Sequence, residues 1–153
     1  MKRHRAFLLL SVAVFAIGAA AALSFSTTTR ANPGADEDHD VSCTLASAKG
    51  SYGFVESGTI IGLGPYVSSG IFISDGQGGA KGSFAENAAG AVTFGITFAG
   101  TYTVNPDCTG SLTFTDNRGR TAHRAAAIVQ EGREIDYIFS DRGIPGTGVA
   151  KKQ

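Results

Sequence analysis

The side chains in this sequence that could do chemistry are few. They are Glu56, His123, Tyr52 and Tyr137, and the cysteine pair Cys43 and Cys108. Glu56 shares strand parity with Tyr52 and Phe54, two large residues expected to point inward. A carboxylate on that side would be desolvated and its pKa raised, as acid-base work requires. The competing reading is that a bulge at Gly53 or Gly58 turns Glu56 to solvent, and the rarity of unpaired buried carboxylates favours it. Tyr137 lies between Ile135 and Phe139 in parity and is expected inward, either as a core phenol or as a ligand contact.

The fourth candidate depends on one hairpin. If the residues Gln130-Glu131-Gly132-Arg133 turn through a two-residue loop at Glu131-Gly132, Ile128 lies opposite Ile135 and Arg124 points inward. If Gly132 is the left-handed residue of a three-residue bulged loop, Ala127 lies opposite Ile135 and His123 points inward. A slip of one residue exchanges the two faces. Two-residue loops want Asn-Gly or Asp-Gly, and Gly at the third place suits the bulged form. The candidates for the lumen are therefore Tyr52, His123 and Tyr137, with Glu56 joining them if no bulge turns it out, and His123 either titrates near neutral pH or sits as a satisfied core histidine.

Several familiar chemistries are not encoded. There is no Gly-x-Ser-x-Gly elbow, and nothing in the sequence points to a Ser-His-Asp triad. Asp75-Gly76-Gln77-Gly78-Gly79 lacks the Lys and following helix of a phosphate loop, so it reads as a turn. Without HExxH or clustered Cys and His, no metal site is expected, and no cofactor is called for. The acidic run Asp36-Glu37-Asp38-His39-Asp40 lacks calcium-loop spacing.

The front of the chain addresses it for export. Lys2, Arg3, His4 and Arg5 precede an apolar run from Phe7 to Leu23, and Ala20-Ala21-Ala22 supplies small residues for cleavage. This is a secretory signal over residues 1–22, followed by a flexible acidic linker over 23–41 and one domain over 42–153. An uncleaved anchor is the alternative, but the run falls short of the roughly 20 residues a span needs. Export predicts a periplasmic or extracellular protein with Cys43 and Cys108 joined in a disulfide. Without the basic signal the chain is mildly acidic and has no basic stripe, which argues against nucleic acid. The oligomeric state is not encoded.

What must position the candidates is a series of β-like runs: Ser51–Ile61, Pro65–Ser74, Ala80–Glu86, Val92–Val104, Ser111–Thr115, Arg120–Val129, Glu134–Ser140 and Thr147–Ala150. Val92, Phe94, Ile96 and Phe98 alternate with Thr93, Gly95, Thr97 and Ala99, the period of a half-buried strand. The alanines of Thr121–Val129 leave a short helix open there. Tight turns between consecutive runs predict an all-β fold, a closed eight-stranded antiparallel up-and-down barrel, with a β-sandwich as the alternative. A loose echo recurs in Gly50-Ser51-Tyr52, Gly82-Ser83-Phe84, Gly100-Thr101-Tyr102 and Gly110-Ser111-Leu112.

The segments Gly50–Phe54, Gly100–Gly110 and Gly146–Gln153 resemble a family of small exported bacterial proteins of unknown function. In strand and turn pattern these look like calycin-type barrels, in the manner of allene oxide cyclase. The resemblance implies fold and transfers no catalytic residue. The expected function is a secreted barrel that binds a small apolar ligand in its lumen. The alternatives are an isomerase or cyclase on the same scaffold, and a structural or surface-interaction domain with a filled core.

Overall fold

Alternating sequence separated by Gly, Asn and Asp turns folds into consecutive antiparallel strands. The computed structural model describes residues 42–153; the expected signal (1–22) and the expected linker (23–41) lie outside the described residues. The strands are β1 (Gly50–Ile60), β2 (Gly64–Ser74), β3 (Gly79–Ala88), β4 (Ala91–Val104), β5 (Thr109–Asp116), β6 (Thr121–Val129), β7 (Glu134–Phe139) and β8 (Gly146–Lys152). Each strand pairs with the next, and β8 pairs back onto β1, so the sheet is a closed barrel. Every strand has two partners, which excludes the sandwich. The alanine-rich run of β6 is a strand, because both β5 and β7 pair with it.

The Gly-Ser/Thr-large echo has a physical meaning in the barrel. Each glycine faces the lumen, the Ser or Thr faces out, and the large residue faces the lumen again. A Cβ on Gly82 would stand 2.8 Å from both Phe72 Cβ and Phe98 Cε1. A Cβ on Gly100 would overlap the Thr113 carbonyl and the Phe114 backbone. These glycines therefore leave room for rings from neighbouring strands, which a barrel of this size must pack inside.

One expected face is corrected. Gly95 takes φ 67°, and the β3–β4 register shifts between Phe84 and Glu86. This bulge breaks the alternation: Ile96 and Phe98 are buried, whereas Val92 and Phe94 are exposed.

The turns form two ends. The lower end carries the β2–β3, β4–β5 and β6–β7 turns and the entering chain. The upper end carries the other four connections. Asp75 organises the β2–β3 turn by accepting the backbone N–H groups of Gln77 and Gly79 at 2.7 and 2.9 Å, so it is a turn as expected. The entering segment contains a short 3-10 turn, Leu45–Ala48. It crosses the lower end as a plug: Leu45 O accepts the Tyr102 hydroxyl at 3.0 Å, and Gly132 packs against Ser47 O. The Cys43–Cys108 disulfide fixes this plug to the β4–β5 turn, and Cys43 N–H donates to Pro106 O at 3.0 Å.

Candidate ligand site in the barrel lumen

The middle of the lumen is aromatic. Phe54, Phe72, Phe84, Phe98 and Phe114 pack around Ile96, with the Phe98 and Phe114 centroids 4.8 Å apart. Tyr52 is fully buried and stacks on Phe72 at 5.1 Å. Its hydroxyl donates to Gly132 O at 2.7 Å, so this candidate holds the β6–β7 turn rather than facing open space.

Glu56 points inward, which overturns the solvent-facing reading. It is 5% exposed and far from unpaired. Its carboxylate accepts Tyr66 Oη at 3.1 Å, Ser68 Oγ at 2.9 Å, and Arg124 Nε and Nη2 at 3.2–3.3 Å. Arg124 lies over the Phe139 ring at 3.8 Å and donates Nη1 to His123 O at 2.9 Å. The rarity argument fails because it concerns unpaired carboxylates, and a cation stands across the lumen. Burial pushes the Tyr66 phenol well above its ordinary value, and the Glu56 charge adds to that. Tyr137 behaves the same way, with burial first, then Glu56, opposed in part by Arg124.

His123 is corrected. It faces outward with its side chain half exposed, and Arg124 takes the inward place. The register is Ile128↔Ile135, Ala126↔Tyr137 and Arg124↔Phe139. The turn spans Gln130 to Arg133, and Gln130, Glu131 and Gly132 all have positive φ (51°, 58° and 81°). Gly132 is left-handed as expected, but two more left-handed residues precede it. The loop is therefore even in length and keeps the other parity. His123 instead pairs with Asp141 on the β7–β8 loop, Nδ1 to Oδ1 at 2.6 Å and backbone N–H to Oδ2 at 2.8 Å. Burial pushes the Asp141 carboxyl up, but these bonds and the nearby charges outweigh it and hold it below its ordinary value.

The Glu56–Arg124 pair divides the lumen. Below it lies a cavity of about 60 Å³, walled by Phe72, Leu112, Ala126, Ile128, Ile135 and Tyr137 and closed underneath by Ala48 of the plug. Beside the pair is a smaller space of about 30 Å³ that touches Glu56 and Tyr137. Above it, Tyr66, Phe84, Phe114 and Phe139 wall a cavity of about 110 Å³. Its rim carries Glu86 and Asp116, both buried and both clamped by Arg118 and Arg120 at 2.7–2.9 Å. Of the four candidates, then, Glu56 and Tyr137 meet at the lumen's centre, Tyr52 is in its wall, and His123 is outside. Sequence reasoning missed Tyr66 and Ser68, although both share the parity of Phe72 on β2. Among the described residues no group of His, Cys, Asp and Glu is arranged to hold a metal ion.

No protein-family model matches this sequence, and no curated protein matches it either. Three solved structures with similar folds are designed or redesigned barrels. A de novo fluorescence-activating β-barrel superposes with TM-score 0.54 at 12% identity, covering 72% of this chain and 99% of that one. A redesigned β-barrel gives TM-score 0.53 at 13% identity over 72% of this chain and 95% of that one. Another, mFAP0 bound to DFHBI, gives 0.51 at 14% identity over 69% of this chain and 99% of that one. At such identities the likeness speaks for the barrel fold alone.

Proposed function

We propose that this chain is an exported barrel that binds a small, mainly apolar molecule in the lower lumen. The observation that carries the reading is the cavity of about 60 Å³, apolar on its walls, capped by Glu56–Arg124 and floored by the disulfide-held plug. Apolar pockets with a few placed polar groups are the usual form of small-ligand sites. Designed barrels of this fold include one described as fluorescence-activating and one bound to DFHBI, which is compatible with a small ligand here. The disulfide supports export, since such bonds persist in oxidising compartments. Kinship with the small exported bacterial proteins that the sequence resembles belongs to the same proposal.

The binding reading is favoured over an isomerase or cyclase by the state of Glu56. Its oxygens already accept Tyr66, Ser68 and Arg124, which leaves no free base in the lumen. A wholly filled core is disfavoured by the open space on both sides of that pair.

Native mass spectrometry of the protein recovered from its own host tests the reading. A bound species of small mass is expected, and it should disappear when Ala126→Phe fills the lower cavity. A bare chain from the host, with the cavity intact, would contradict it. N-terminal sequencing of the same material should begin between Leu23 and Asn32; a full-length chain in the membrane fraction would contradict export.

A further inference from the structure

Ser74 ends β2 at the lower end of the lumen, on the inward face it shares with Phe72. It is 3% exposed, and its Oγ is the one buried side-chain polar atom without a hydrogen-bond partner among the described residues. Such groups are rare because burying an unpaired hydroxyl costs free energy. Ser74 lines the lower cavity. Other polar groups on that cavity have partners: Tyr102 Oη donates to Leu45 O, and Arg124 is engaged by Glu56 and His123 O.

We infer that the lower cavity takes a small uncharged molecule with an apolar body and one hydroxyl or carbonyl group, and that Ser74 Oγ hydrogen-bonds to that group. The inference rests on the reading of the lumen as a ligand site and names the chemistry the site selects. A lone water suits it poorly, because buried waters typically make about three hydrogen bonds, and Tyr102, Arg124 and Tyr137 on that cavity are already engaged elsewhere. A charged ligand suits it no better. The cation that faces the cavity, Arg124, is already neutralised by Glu56, so a buried carboxylate there would lack a counter-charge. The volume has room for about four to six water-sized groups, the scale of a single six-membered ring.

Titration calorimetry with benzene, phenol and benzoate, on the full domain and on Ser74→Ala, tests this. Phenol should bind the unaltered protein about fivefold more tightly than benzene, and benzoate should not bind. Ser74→Ala should bind benzene unchanged and lose the preference for phenol. The variant removes an unpaired hydroxyl, so its unfolding midpoint in denaturant should be no lower than that of the parent. Equal binding of benzene and phenol, or a preference that survives in Ser74→Ala, would overturn the role of Ser74 and leave the lumen reading standing. Failure of both benzene and phenol to bind would overturn the lumen reading, and this inference with it.

Discussion

Arg124 on β6 reaches across the lumen to Glu56 on β1, its Nη2 lying 3.2 Å from both carboxylate oxygens. The two side chains are 7% and 6% exposed, so neither charge is shared with water to any extent. Removing one partner of such a pair leaves the other charge buried alone, at a cost of about 3–5 kcal/mol. Arg124→Met and Glu56→Leu should each destabilise the domain by about that much in urea unfolding. The double variant should be less destabilised than the sum of the two. Single variants within about 0.5 kcal/mol of the parent, the range of ordinary surface changes, would show that the pair does not form.

That pair also explains what the sequence concealed. Strand positions were legible: each strand starts and ends within two residues of the run read from alternation and turn chemistry. The inward parity of Tyr52 and Phe54 correctly pointed to Glu56. The rarity of unpaired buried carboxylates argues for an outward side chain, but it is silent on which strand could supply a partner. Arg124 answers that question only if β6 has the even register, and the register hung on the Gln130–Arg133 turn. Three consecutive left-handed residues, two of them not glycine, are not signalled by composition. A buried charge seeking its counter-charge was the better guide to register than the turn. The exposed Phe94 was hidden for a related reason, since Gly95 looks like any strand glycine until its left-handed φ is seen.

The disulfide closes a loop with a sequence separation of 65. By the chain-entropy relation this contributes about 4 kcal/mol, mostly by restricting the unfolded chain. Alkylation of the denatured, unreduced protein should find no free thiol. Reduction should lower the unfolding free energy by roughly that amount, and a midpoint unchanged by reductant would argue against the bond.

The inward glycines should be intolerant of a methyl group. A Cβ at Gly100 meets the Thr113 carbonyl and the Phe114 backbone. Gly100→Ala should therefore cost about 1–3 kcal/mol or more. Thr101→Ala, one residue on and exposed, should stay within about 0.5 kcal/mol. Equal effects at the two positions would contradict the assigned faces.

Two pH limits follow from the shifted groups. The folded Asp141 carboxyl lies below its ordinary value, so its stabilising contribution is complete above about pH 3.9 and is lost as pH falls through the folded value. Asp141→Asn should flatten the acid limb of the stability curve. Tyr52, Tyr66 and Tyr137 all lie above the usual phenol value, chiefly through burial. Their contribution is complete below about pH 10 and declines as pH rises beyond it. Phenolate absorbance from these three should rise together with unfolding, and a smooth titration of all the tyrosines in the folded state would contradict their burial.

The central claim is an apolar space inside the lower barrel that a small molecule can enter. A crystal of the domain pressurised with xenon measures this directly, because xenon binds dry apolar cavities. An anomalous peak is expected between Phe72, Leu112, Ile128 and Ile135, above Ala48 and below Arg124. Xenon found only on the outer grooves beside Ile71 and Ile73, with side chains closed over the lower lumen, would contradict the account.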